Sequence, residues 1–260
     1  MKEHVSGRVA VVTGANRGIG RAIAVALATD GFTVAACARD PRSLADTIAE
    51  VEKAGGTAAG LACDVRDEAS VAAMAAQAQD LGPVHTVVAS AGIAGPTLPM
   101  HEMSLEDWRA TIATDLDGVF LTLRAFIPGM ISRREGCLIA ISSLTGKRPL
   151  HGRTPYAAAK MGVIGLARTL AVELGPYHIR VNSVCPGYVA GPRMDQVISG
   201  QAATQGITEA EARAALTGAS PLGRMVEASE VAAACAYLAS DSAAAVTGED
   251  VNVTAGVVMY

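Results

Sequence analysis

The stretch VAVVTGANRGIGRAIAVAL, residues 9–27, decides the fold of this 260-residue chain. It opens on a continuous apolar run, the mark of a strand covered on both faces rather than one. Gly14, Gly18 and Gly20 follow, and then a helical segment begins. Glycines at this junction permit a tight turn and let the backbone approach a diphosphate, which would sit at the positive N-terminus of the helix. The spacing is G-x-x-x-G-x-G, not the dinucleotide fingerprint G-x-G-x-x-G. A glycine cluster by itself is weak. Glycine in a plain tight turn is the alternative, but strand, turn and helix in this order point to a nucleotide site.

The same alternation continues along the chain. Strands are predicted at 8–13, 32–37, 57–62, 84–89, 137–142, 178–184 and 250–254. Helices are predicted near 18–30, 41–54, 67–80, 104–130, 155–175 and 227–240. Apolar strands alternating with helices imply a parallel sheet covered on both faces, and right-handed crossovers make it doubly wound. The expected fold is therefore a single α/β domain of Rossmann type over residues 1–260. One segment breaks the rhythm: 188–224 is a long, polar, Ala- and Gly-rich excursion. Within it TEAEARAAL has helical composition, with Thr208 as N-cap. Excursions of this length inside a domain commonly serve as lids, and a plain surface insertion is the alternative.

Composition narrows the function. Half the residues are hydrophobic, 18% are charged and the net charge is −4, which fits a globular protein without a nucleic-acid surface. No uncharged apolar stretch reaches the roughly 18 residues of a membrane span. The first residues carry no signal-peptide core, so a cytoplasmic location is expected. Five cysteines and five histidines are scattered without C-x-x-C or H-E-x-x-H spacing, so neither disulfides nor a metal are expected.

The second strand ends at Ala38, where enzymes using NAD tend to carry an acidic residue for the ribose hydroxyl. Arg39 follows, and Arg17 lies in the glycine turn. Two guanidiniums near one ribose suit a 2′-phosphate. NADP(H) is favoured, with NAD(H) possible. The competing reading of RDPRS, residues 39–43, is a capped turn into a helix.

A second stretch, SSLTGKRPLHGRTPYAAAK (142–160), places Tyr156 four residues before Lys160. In a helix the two share a face, and a phenol beside a fixed cation gives up its proton more readily. Lys147, Arg148, His151 and Arg153 crowd the intervening loop. They are either a solvated loop or the marks of an anionic substrate or acyl carrier.

Six motifs together bring a family into view: TGANRGIG (13–20), CDV (63–65), ASAG (89–92), SS (142–143), YAAAK (156–160) and CPG (185–187). In this order the chain resembles the short-chain dehydrogenase/reductases over essentially its whole length. The resemblance implies that Ser143 holds the substrate oxygen, that Tyr156 is the acid/base, and that Lys160 binds the nicotinamide ribose beside it. It also implies cofactor contacts from Gly14, Asn16, Arg17, Gly18, Ile19, Gly20, Arg39, Asp64, Val65, Ala91, Gly92, Pro186, Gly187 and Val189, with Asp64 at the adenine edge. Four positions depart from the family pattern. Ala89 and Ser90 replace asparagines, Gly191 stands where a threonine is usual, and Asp115 replaces an asparagine associated with a water relay. Asp115 enters the catalytic group as a carboxylate that would partly offset the charge of Lys160 and shift oxidative activity to alkaline pH.

The implied function is interconversion of a secondary alcohol and a ketone. A 3-oxoacyl-thioester reductase (carrier- or CoA-bound) and a nucleotide-binding protein without chemistry are the alternatives. A small-molecule substrate is expected, with no nucleic acid or membrane partner. In the family, helices matching 104–130 and 155–175 build a dimer face, so a homotetramer is expected, or failing that a dimer.

Overall fold

In the computed structural model, which describes residues 7–260, seven strands form one parallel sheet: β1 (Val9–Thr13), β2 (Thr33–Ala38), β3 (Thr57–Ala62), β4 (Val84–Ala89), β5 (Gly136–Ile141), β6 (Ile179–Pro186) and β7 (Asp250–Val253). Their order is β3-β2-β1-β4-β5-β6-β7. All pairings are parallel, with Val12 opposite Ala36 on one side and Val88 on the other. Each predicted strand is present within two residues. The doubly wound Rossmann-type fold follows from the order: the chain leaves β1 in one direction and β4 in the other. That reversal opens a crevice beyond the carboxyl ends of these two strands.

Alternate residues of each strand feed two apolar layers, as the period-two pleat requires. Val9 and Val11 pack with α3 (Glu68–Asp80) and with residues of the 105–174 helices. Ala10 and Val12 pack with α1 (Gly18–Thr29), α2 (Ala45–Lys53) and α10 (Ala228–Ala239). All five cysteines are buried as free thiols. Among the described residues no helix is long and apolar enough to cross a membrane.

Two expectations need correction. The helix predicted over 104–130 is broken into α4 (Leu105–Ile112), a π-helical turn (Ala113–Asp117), α5 (Gly118–Arg124) and α6 (Ile127–Arg133). Pro128 lies in the first turn of α6, where its missing N–H costs nothing. Sequence periodicity does not register the extra residue of a π turn.

The 188–224 excursion holds two helices, not one: α8 (Pro192–Gln205) and α9 (Glu209–Gly218). Thr208 caps α9 as predicted, and Glu211 completes a capping box. The segment has its own apolar core, in which Tyr188, Ile198 and Leu216 meet Leu144 and Val258. It is packed down.

The long α7 (Thr154–Leu174) carries Tyr156 in its first turn and Lys160 one turn later. The cationic loop before it divides. Lys147 leaves the loop for the sheet, where its ammonium bonds the Asp250 carboxylate, Asn252 Oδ1 at 2.9 Å and the Tyr260 main-chain oxygen at 2.8 Å. Its side chain and that of Asp250 are 7% and 8% exposed. Burial alone would push the Asp250 carboxyl up, but the bonds from Lys147 and Arg168 outweigh it and hold the group below the usual range. Lys147 is structural. Arg148 and His151 are exposed, and Arg153 is buried.

Candidate active site

The crevice beyond β1 and β4 is a cavity of about 960 Å³. At one end lies the glycine turn. Gly14 has φ +68°, and a Cβ there would lie 2.8 Å from the Ala91 Cα, so the turn closes against the β4 loop only without a side chain. Thr13 fixes that loop: its Oγ1 accepts the N–H groups of Ser90 and Ala91 at 3.1 and 3.2 Å. The N-terminus of α1 has neither a side-chain cap nor an acidic residue in its first turn. Its free N–H groups and positive dipole suit a diphosphate, so the residues present fit a dinucleotide.

At the far side of this end, Arg17 and Arg39 are exposed on the cavity wall. Neither side chain has a hydrogen bond or ion pair among the described residues. Asp40 behaves as the capped-turn reading requires: it accepts the Arg42 N–H at 3.0 Å and pairs with the Arg42 guanidinium. The two readings of RDPRS are compatible, because Asp40 is occupied and Arg39 is not. Asp64 also lines the cavity, but its carboxylate is gripped by Arg66, with Nε at 2.9 Å and a terminal nitrogen at 2.6 Å. That hydrogen-bonded pair holds the Asp64 carboxyl at about 2.

The other end holds the polar trio. Ser143 lies two residues beyond the end of β5 and is buried, and its Oγ accepts the Thr145 N–H at 3.1 Å. With that acceptance made, its own proton is free to point at a substrate oxygen. Lys160 is 4% exposed, and its Nζ donates to the Ile141 carbonyl at 2.9 Å. The ammonium lies 5.7 Å from the centre of the Tyr156 ring. Ser142, the other serine of the pair, donates its hydroxyl to the Lys160 carbonyl at 2.7 Å. Ser143, Tyr156 and Lys160 share the cavity wall with Asn16, Gly18, Ile19 and Gly20 of the turn, with Val65, Ala91 and Gly92, and with Pro186, Gly187 and Val189 after β6.

Asp115 is the one predicted site residue that is not on the wall. It sits in the π-helical turn, fully buried, behind Gly92. Its Oδ1 accepts the Ile93 N–H at 2.8 Å, and its Oδ2 has no partner. Burial pushes the carboxyl up; Lys160 and the Ile93 N–H oppose this without cancelling it. No ion pair joins it to Lys160, whose ammonium turns to Ile141 instead. Gly191, another departure, has φ +131°, a conformation that a threonine would strain.

Sequence reasoning placed Arg153 in a loop and passed over Arg193. Both line the cavity. The Arg153 guanidinium stacks 4.7 Å from the Tyr156 ring centre, and Arg193 donates to the Gly92 carbonyl. Spacing could not mark Arg193, which reaches the site through the excursion.

Fold and site together define a nicotinamide-dependent oxidoreductase. Residues 14–258 match the family model described as enoyl-(acyl carrier protein) reductase. A 3-oxoacyl-[acyl-carrier-protein] reductase of Pseudomonas aeruginosa is 40% identical over 257 residues, 98% of this chain and 99% of that one. Among solved structures, an actinorhodin polyketide ketoreductase variant with NADPH superimposes at a TM-score of 0.93, with 37% identity and 98% of each chain covered. An NAD+-bound xylitol dehydrogenase gives 0.94 at 26% identity, covering 98% of this chain and 100% of that one. The chain belongs to the short-chain dehydrogenase/reductase family, as an NAD(P)-dependent enzyme acting on CH–OH groups and the corresponding ketones.

Asp115 gives a stability prediction. A carboxyl raised above its unfolded value of about 3.9 destabilises the fold wherever it is ionised, and the penalty fades as pH falls through the raised value. Asp115→Asn keeps the acceptor for Ile93 and removes the buried charge. The variant should therefore melt higher than the parent near pH 8, with the gap closing as the pH falls to the unfolded value of about 3.9. Thermal unfolding across that range checks both the sign and the closing of the gap.

Proposed function

We propose that the protein is an NADP-dependent ketoreductase working reversibly on a small secondary alcohol or ketone. Convergence of Ser143, Tyr156 and Lys160 on one wall of the cavity that ends at the glycine turn carries the reading. When bound, the cofactor donates a hydride to the carbonyl carbon in reduction and accepts one in oxidation. Ser143 donates its free proton to the carbonyl oxygen and orients it. Tyr156 hydrogen-bonds the same oxygen and delivers the proton as negative charge builds there. Lys160, with one donor spent on Ile141, keeps two for a ribose hydroxyl. Its ammonium lies 5.7 Å from the centre of the Tyr156 ring.

Three finer points go with this proposal. NADP is favoured over NAD because Arg17 and Arg39 stand unpaired at the ribose end, and the ketoreductase neighbour holds NADPH. The 188–224 segment of the single catalytic domain serves as the substrate lid, since Met194 and Val197 of α8 line the cavity. The assembly is a homotetramer, supported by the apolar residues that α5 and α7 turn outward: Phe120, Met161 and Val172 are 44%, 52% and 79% exposed.

A second reading, reduction of a 3-oxoacyl thioester, is favoured by the name of the Pseudomonas aeruginosa relative. The reading without chemistry is disfavoured by the intact trio.

Tyr156→Phe should lower turnover by roughly 10²–10⁴-fold, the usual worth of a general acid/base, while NADPH still binds. Parent-like turnover in that variant would reject the mechanism. Arg39→Asp should lower the NADPH-to-NADH affinity ratio about tenfold or more, because a carboxylate repels the 2′-phosphate and accepts from a ribose hydroxyl. Calorimetric titration with both cofactors reads the ratio, and equal affinities in the parent would exclude the NADP assignment. Light scattering at micromolar concentration should give the mass of four chains; a single-chain mass would exclude the assembly.

A further inference from the structure

Resting on the ketoreductase reading, we propose that the substrate is a short oxo acid, whose anionic group is held by Arg153 and Arg193 beside the reacting carbonyl. Arg153 is 4% exposed and lines the cavity. Its side chain makes one long hydrogen bond, to Thr97 Oγ1 at 3.4 Å, and its Nε has no partner. No carboxylate lies within ion-pair distance of it among the described residues. Buried arginines are ordinarily paired, because desolvating an unpaired guanidinium is costly. A solvated loop would leave it outside.

Arg193, in the first turn of α8, stands on the same wall and likewise has no carboxylate partner. Its one side-chain bond goes to the Gly92 carbonyl. The two guanidiniums repel each other, and burial together with that repulsion holds the Arg153 group below its ordinary value. Asp115 is the carboxylate that feels both of them, and it also faces Lys160. It is turned to Ile93, and burial already pushes it toward the neutral form. Three cations thus surround one reluctant anion. A carboxylate brought by the substrate supplies the missing charge, and the planar guanidinium fork matches its two oxygens.

Geometry sets the size of the ligand. The Arg153 guanidinium lies against the ring that carries the reacting hydroxyl, so only a few bonds separate the anionic group from the carbonyl carbon. A 2- or 3-oxo acid meets that limit. Leu150, Tyr188 and Val197 give its alkyl portion an apolar wall. A long acyl thioester is neutral at this distance from the carbonyl, and its phosphates lie far along the carrier arm.

The test compares 3-oxobutanoate, methyl 3-oxobutanoate and 3-oxobutanoyl-CoA with NADPH, in the parent, Arg153→Ala, Arg153→Lys and Arg193→Ala. The parent should prefer the acid to its ester by roughly tenfold or more in kcat/KM, the worth of a charged hydrogen-bonded contact. Arg153→Ala and Arg193→Ala should collapse that ratio through KM for the acid, with Arg153→Lys restoring part of it. Butanoate, which cannot be reduced, is titrated calorimetrically into the parent–NADPH complex as a binding readout independent of turnover. Butanoate binding to the parent and its loss in Arg153→Ala support the anion site, whereas reduction of none of the three probes overturns the oxo-acid substrate together with the ketoreductase reading on which it rests. Reduction of the ester or the CoA thioester at least as well as the acid, with no change of ratio in the variants, overturns the anion site while the ketoreductase reading stands. Arg153→Ala or Arg193→Ala weakening NADPH itself, with the acid preference intact, also overturns it.

Discussion

Lys160 and the end of β5 hold each other in both directions. The lysine ammonium donates to the Ile141 carbonyl, and the Ser142 hydroxyl donates to the Lys160 carbonyl. These bonds fasten the first turns of α7 to the last residues of the central sheet, and Ser143, Tyr156 and Lys160 are placed by that fastening. Ser143 follows Ser142 directly, and Tyr156 lies one turn before Lys160, so serine and phenol face one volume. A buried ammonium needs such a partner, since an unsatisfied charge in the interior is far costlier than a lost hydrogen bond. The requirement that makes Lys160 tolerable thereby fixes the geometry of its neighbours.

The site is electrostatically lopsided. Its cofactor end has a bare helix N-terminus and two unpaired arginines; its substrate end has Lys160, Arg153 and Arg193 around a carboxylate that burial drives toward neutrality. Positive potential concentrated in a crevice of low dielectric draws anions in and orients them. At the same time the protein carries a net charge of −4. Six cationic side chains, Arg17, Arg39, Arg66, Arg153, Lys160 and Arg193, nonetheless line the cavity.

Departures from the family pattern are absorbed by local structure. Gly191 occupies a backbone conformation that glycine takes freely, at the point where the chain enters α8. Asp115 keeps one acceptor on the Ile93 N–H and is enclosed behind Gly92, where a side chain would press on it. The π-helical turn carries Asp115, and that residue's Oδ1 ties the turn to the loop after β4 through the Ile93 N–H. Each change is thus tied to a backbone feature that a list of aligned letters does not display.

The sequence by itself determined the strands, their parallel arrangement, the glycine turn and the Tyr156–Lys160 pair. All of these rest on short-range rules: apolar continuity, glycine in a turn, and helical spacing. Arg39 and the Thr208 cap were legible for the same reason. Only the tertiary structure decided which members of the cationic loop matter, because burial is a property of the packed chain. Lys147 and Arg153 stand six residues apart; one ties down the C-terminal strand and the other stacks on the Tyr156 ring. It also decided that Arg193 reaches the cavity, that 104–130 breaks at a π turn, and that Asp115 lies behind the wall. Each of those depends on contacts between segments distant in the chain, and no local pattern encodes such contacts.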